Sequence, residues 1–86
     1  MSYPSYKLDV ITPQGVAYSA EVEHTMLPAE DGFVGVLAHH APYITSSPGG
    51  RLEVREADGT EKKFKVGVGF FEVAKNKATF LTQFFQ

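Results

Sequence analysis

Three histidines and one acidic turn are the residues of this chain that could do chemistry. His39 and His40 are adjacent, and Glu30 and Asp31 come shortly before them. Adjacent side chains in a strand point to opposite faces, so the two histidines could share a metal ion only where the backbone is irregular. Carboxylates beside a turn glycine more often hydrogen-bond the backbone. A small metal-dependent enzyme is therefore an alternative that requires both histidines to converge with a carboxylate.

Motifs of nucleophilic or phosphate chemistry are absent from the sequence. Ser46 and Ser47 have no context that resembles a nucleophile elbow. The stretch Gly67-Val68-Gly69 is too short for a phosphate-binding loop, and it predicts a kink or a close backbone approach within a strand. No catalytic, cofactor-binding or metal-binding residue is predicted, and the chain is interpreted as a non-enzyme.

Length and composition limit the architecture and the partners. With 86 residues, the chain is expected to form a single domain spanning positions 1–86. The net charge is -2 with acids and bases interspersed, which argues against a nucleic-acid partner. There is no cysteine, so neither a disulfide nor a thiolate metal site can form. No apolar run approaches the ~20 residues of a membrane-spanning helix, so we expect any link to a membrane to go through another protein.

Alternation of apolar and polar residues predicts strands along most of the chain. Residues 6–10 and 16–22 alternate cleanly, as half-buried strands do. The parity blurs at 25–27, which predicts a bulge near His24 that swaps the two faces. Pro28 is expected to end that strand.

A hairpin is the clearest local signal. Asp58-Gly59 lies between the alternating runs 51–55 and 63–66, and this pair favours a type I′ turn with positive φ at both residues. No segment shows helical periodicity. The sequence therefore predicts an all-β fold, a flattened β-sandwich or barrel of about 8–10 short strands.

The large apolar residues divide into a predicted core and a remainder that is hard to bury. Phe70 and Phe71 are neighbours and must face opposite sides of a strand, so one of them is covered from the other side or belongs to an interface. Phe33 follows a turn and is expected to be exposed. Phe84 and Phe85 are also neighbours, so the core cannot be expected to cover both of them. The predicted core residues are Leu8, Val10, Val22, Leu52, Val54, Phe64, Val66, Phe71, Val73 and Phe80.

Several short motifs together resemble one known family. They are Tyr6-Lys7-Leu8-Asp9-Val10, Thr12-Pro13, Gly15, Glu21-Val22-Glu23, Leu27-Pro28, Gly32-x-x-Gly35-x-x-x-x-His40-Ala41-Pro42, Asp58-Gly59, Gly69-Phe70-Phe71-Glu72-Val73 and Ala78-Thr79-Phe80-Leu81. Their order and spacing resemble the N-terminal β-sandwich domain of the epsilon subunit of the bacterial F-type ATP synthase, over essentially the whole chain.

The resemblance implies a mechanical role. Such a subunit is a non-catalytic part of the central stalk in a proton- or sodium-translocating synthase. It couples the gamma subunit to the membrane c-ring as part of the rotor, peripherally on the cytoplasmic face of the bacterial membrane. The implied c-ring contact loop is Glu30, Asp31, Gly32 and Phe33, and the implied gamma contacts are Thr12, His40, Ala41, Pro42 and Thr45. A stand-alone small β-barrel binding module remains the alternative.

The chain departs from the family pattern at three loops and at its end. Many members carry an acidic residue at the position of Phe33, proline-glycine at Ala38-His39, and serine-glycine-glycine at 67–69. Many also continue into a helical hairpin that can block ATP hydrolysis. This chain stops at Gln86, as a naturally short or a truncated form, so we expect no ATP-sensitive inhibition by this polypeptide.

Overall fold

The computed structural model describes residues 3–86, and these residues form eight β-strands and no helix. The strands are β1 Tyr6–Thr12, β2 Gly15–Ala29, β3 Gly32–Leu37, β4 Tyr43–Ser47, β5 Gly50–Glu56, β6 Glu61–Val66, β7 Gly69–Ala74 and β8 Lys77–Thr82. The predicted all-β class and strand count are confirmed. Among residues 3–86, no helix is long and apolar enough to cross a membrane.

All eight strands belong to one sheet, in the order β4-β7-β8-β1-β2-β5-β6, with β3 paired to β2 beside this path. Neighbouring strands are antiparallel except β1 and β8, which pair in parallel and join the two ends of the chain. Buried side chains from seven of these strands meet in one cluster, so the sheet must curl around it. The core therefore lies between two halves of one continuous sheet.

The predicted bulge in β2 is confirmed. Pairing with β5 shifts register between Val22 and His24, and Val22 and Glu23 are both buried. The prediction that Pro28 ends this strand is wrong, because β2 continues through Pro28 to Ala29. β2 pairs with β5 only as far as Met26, and beyond that residue β3 is its paired neighbour. One side of β2 is therefore an edge at Pro28, and a strand tolerates proline at an edge.

The predicted core is buried with one exception. Phe64 is only partly buried, because it lies on β6, the last strand at one edge of the sheet. Its ring is 4.9 Å from that of Tyr18 and 4.7 Å from that of Phe85. Residues Phe84 to Gln86 cross from β8 to the free side of β6, where Lys65 and Gln86 exchange two backbone hydrogen bonds. These three residues thus cover part of the β6 edge.

The hairpin turns also differ in detail from the expected types. The Asp58-Gly59 hairpin forms, but only Gly59 has positive φ, at 92°, so the turn is not type I′. Glu56 and Thr60 close a three-residue loop in which Gly59 takes the left-handed position. The two successive left-handed residues of a type I′ turn occur instead at Lys75 and Asn76, between β7 and β8.

The close backbone approach predicted around Gly67-Val68-Gly69 is found at Gly69, the first residue of β7. A Cβ atom there would overlap the carbonyl oxygen of Leu81 on β8. Only glycine lets the two strands meet at this point.

Candidate functional site

A row of apolar side chains, exposed except for the half-buried Ile11, crosses four neighbouring strands. The register pairs Val16 of β2 with Ile11 of β1, Ile11 with Leu81 of β8, and Leu81 with Phe70 of β7. Phe70 is 58% exposed and Leu81 48%. With strands about 4.8 Å apart, this apolar row extends over about 14 Å.

Ile44 extends the apolar row onto β4. It pairs with Glu72, two residues along β7 from Phe70, and it is exposed. A parallel line of polar residues borders the row. It consists of Asp9 of β1, Thr79 of β8 and Glu72 of β7, which pair across the three strands. Contiguous apolar surface of this kind on a small protein marks an interaction site. The sequence indicated only Phe70 as a candidate, because the row depends on pairing between distant strands.

Four of the five residues assigned to gamma contact lie at the two ends of this face, without forming one cluster. His40, Ala41 and Pro42 lie in the loop between β3 and β4, close to the Lys77 end of β8. Thr12 lies at the opposite end of the face, one residue beyond the Ile11–Leu81 pair. Thr45 pairs with the buried Phe71, so it faces the core side of β4, half-buried, and not the side that carries Phe70 and Ile44. The apolar row and Ile44 occupy the surface between Thr12 and the His40–Pro42 segment.

The two histidines of the loop have different environments. His39 is exposed and takes a φ of 62°, in the left-handed region that favours glycine. His40 Nδ1 is 2.6 Å from the carbonyl oxygen of Ala41, and since a carbonyl only accepts, the ring nitrogen donates. The His40 ring lies 5.9 Å from that of Tyr43. Within residues 3–86, no group of three or more His, Cys, Asp or Glu side chains could hold a metal ion.

A buried tyrosine fixes the strand end from which this loop departs. The Tyr6 hydroxyl is 2.9 Å from the carbonyl oxygen of Val36 and 2.6 Å from Thr25 Oγ1. Because the carbonyl can only accept, Tyr6 donates to Val36 and accepts from Thr25. Burial raises the pKa of Tyr6 to about 12, against the opposing effect of the Thr25 hydrogen bond.

The residues assigned to c-ring contact form a tight exposed turn on the other half of the sheet. Ala29 of β2 pairs with Gly32 of β3, so Glu30 and Asp31 make a two-residue connection. Gly32 has a φ of 120°, a backbone conformation that other residues rarely adopt. Phe33 is 60% exposed, which confirms its predicted exposure. Ser46 Oγ donates to Glu30 Oε2 over 3.0 Å and links the turn to β4.

A surface groove of about 710 Å³ lies beside Phe33. Its lining is aromatic and basic, with no acidic side chain, and it comprises Phe33, Gly50, Arg51, Lys63, Phe64, Lys65, Val66, Phe84 and Gln86. Sequence reasoning missed it because its walls come from β3, β5, β6 and the residues after β8. The alternating Lys63-Phe64-Lys65 was the available signal.

The family model described as ATP synthase, Delta/Epsilon chain, beta-sandwich domain matches residues 5–86. This chain belongs to that family. The ATP synthase epsilon chain of Chlorobium limicola is 37% identical over 79 residues, which cover 92% of this chain and 90% of that protein. The resemblance read from the motifs is thereby confirmed.

Two solved structures share the fold. A chain in the mitochondrial ATP synthase of Euglena gracilis, from a structure of OSCP, F1 and c-ring, has a TM-score of 0.88 at 21% identity. The alignment covers 98% of this chain and 54% of that one, so this chain spans about half its length. A chain in the central stalk and c-ring of the Tetrahymena thermophila mitochondrial ATP synthase has a TM-score of 0.80 at 11% identity, with coverages of 100% and 69%. At such identities the likeness shows the fold alone.

We predict that Tyr6→Phe lowers the free energy of unfolding by about 1–3 kcal/mol, because it leaves a buried carbonyl and hydroxyl unpaired. The pH dependence also changes. In the unfolded chain Tyr6 ionises near pH 10, whereas the folded chain keeps the proton until about pH 12, so wild-type stability falls as pH rises between these values.

Urea unfolding from neutral pH to pH 12 measures both effects. In the Tyr6→Phe variant the free energy of unfolding should fall less steeply at alkaline pH than in the wild type. The fall that remains is due to Tyr18, whose pKa is also raised by burial and by the hydrogen bond to Glu56. An alkaline decline identical to that of the wild type would contradict this account of Tyr6.

Proposed function

We propose that this chain is the non-catalytic central-stalk subunit of a rotary F-type ATP synthase that couples the gamma subunit to the c-ring for ATP synthesis. The observation that carries this function is the apolar row on β2, β1, β8 and β7, which lies between Thr12 and the His40–Pro42 segment, both assigned to gamma contact. Membership of the Delta/Epsilon chain family supports the choice of partner. The role requires a stiff body with two contact surfaces and no catalytic group.

Gamma docks on the apolar row and the loop at 38–42 in this proposal. Phe70 and Leu81 are large, exposed and directly paired across two strands, which are the properties of side chains that dominate interface energy once they are covered. Ile44 widens the surface toward β4. Thr12 and the His40–Pro42 segment supply polar groups at its two ends.

The c-ring docks on the turn Glu30–Phe33 in this proposal. This turn lies at the Ala29 end of β2, whereas the gamma surface lies at the Val16 end of β2 and on β1, β8, β7 and β4. The two partners therefore meet different surfaces of one sheet, and they can bind together. Transmission of torque between them requires little internal motion, and a continuous hydrogen-bonded sheet around one packed core provides that stiffness.

The remaining assignments follow from this function. The chain acts as one domain over its 86 residues and belongs peripherally to a membrane-associated complex. We place it on the cytoplasmic face of the bacterial cell membrane, where it contacts the membrane only through the c-ring. The coupling ion is a proton or sodium, and it does not pass through this chain.

We predict that Phe70→Ser weakens binding to the gamma subunit by about tenfold or more, the loss expected for an aromatic anchor at an interface. The melting temperature of the Phe70→Ser variant should change little, because the Phe70 side chain is exposed. Phe33→Ser is the matched control, since it removes an equally exposed phenylalanine from the other surface and should leave gamma affinity unchanged. Titration calorimetry with purified gamma measures both. Equal losses in the two variants would remove the assignment of the gamma surface.

We predict that Phe33→Asp lowers ATP synthesis driven by the ion gradient in reconstituted vesicles while gamma affinity and the fold are retained. A charged side chain at this turn replaces the apolar contact with the c-ring. Phe33→Leu, which keeps an apolar side chain, should keep most of the coupling. Normal synthesis by Phe33→Asp, or loss of its fold, would show that Phe33 is not a ring contact.

A further inference from the structure

The side chain of Asn76 joins three segments that are far apart in the sequence. Its Oδ1 accepts a hydrogen bond from the backbone N–H of His39 over 2.7 Å. Its Nδ2 donates to the carbonyl oxygen of Ser5 over 2.9 Å. Ser5 immediately precedes β1, His39 lies in the loop between β3 and β4, and Asn76 itself lies in the turn between β7 and β8.

The backbone at this junction is unusual. Among residues 3–86, the non-glycine residues with positive φ are His39 at 62°, Lys75 at 51° and Asn76 at 60°. All three meet here, because Lys75 and Asn76 form the two-residue turn closed by the Ala74–Lys77 pair, and Asn76 holds His39. Asparagine tolerates the left-handed conformation better than most residues and also carries both a donor and an acceptor.

We infer that Asn76 is a positioning residue for gamma binding, an inference that rests on the proposed function. His39 directly precedes His40, Ala41 and Pro42, the residues assigned to gamma contact. The bond between His40 and Ala41 lies within that segment, so it does not tie the segment to the sheet. The bond to Asn76 does, and through Ser5 it extends the tie to the start of β1.

The effect on binding follows from preorganisation. The strand ends on both sides of the loop are fixed, with the Val36 carbonyl bonded to Tyr6 and Tyr43 paired with Val73. The segment between them has left-handed backbone at its centre, and without Asn76 it samples other conformations. Ordering those residues during association would then weaken the complex.

Three variants separate the side-chain bonds from the turn. Asn76→Gly keeps the left-handed turn and loses both bonds. Asn76→Asp keeps the acceptor for His39 and loses the donor to Ser5. Lys75→Gly is the matched control, because Lys75 is the exposed left-handed neighbour in the same turn and its side chain is not part of the junction.

Gamma binding by the full chain is measured by titration calorimetry well below the melting temperature of every variant, so that all are fully folded. We expect Asn76→Gly to bind gamma about tenfold more weakly, Asn76→Asp to show a smaller loss, and Lys75→Gly to bind like the wild type. Amide hydrogen exchange of free protein gives a local readout. The His39 amide should exchange faster in Asn76→Gly only, while core amides such as that of Phe71 keep their protection.

The outcomes distinguish the inference from the proposed function. Wild-type affinity in folded Asn76→Gly, or equal losses in Lys75→Gly, would overturn the positioning role while gamma docking stands. Absence of gamma binding by the wild type would overturn both. Faster exchange throughout the core of Asn76→Gly would show a merely structural role, and it would also overturn the inference.

Discussion

The structure depends on the change of face within β2. From Tyr18 to Val22 the even-numbered residues of this strand face the core, and after the bulge the odd-numbered Thr25, Leu27 and Ala29 do so. Without the extra residue, one half of the strand would turn its apolar side chains to solvent, since side chains alternate with a period of two. The bulge places the Glu23 carboxylate in a buried position, with its side chain only 7% exposed. Arg55 Nε donates to it over 2.8 Å, and this ion pair compensates for the desolvation.

This strand and the β1–β8 pair together determine where the two proposed contact surfaces lie. β2 joins the two halves of the sheet by pairing with β1 on one side and with β5 on the other. β1 in turn pairs in parallel with β8, the last strand. The parallel pair aligns Ile11 with Leu81 and, through β7, with Phe70. The far end of β2 carries the turn with Phe33 to a different part of the surface. A stiff body between two separate contact surfaces is what a rotor subunit needs.

Local patterns in the sequence predicted most of the strands, and long-range pairing accounts for most of what they missed. Alternation located the strands and the bulge near His24, because both are properties of side-chain parity. It also showed that Phe70 and Phe71 face opposite ways and placed Phe71 in the core, which the structure confirms. Phe64 was wrongly assigned to the core, since its partial exposure depends on the position of β6 in the sheet order. The tie between Asn76, His39 and Ser5 has no local signature, because its members are joined only in the folded chain.

The most direct test of the central claim is a map of the gamma contact on the folded chain. Amide hydrogen exchange of the isotopically labelled protein, free and saturated with gamma, reports each residue separately. We expect added protection in the loop at 38–42, along the edge strand β4 and in β7 and β8, with none at residues 30–33. Protection centred on residues 30–33 or on the outer side of β5 and β6 would contradict it.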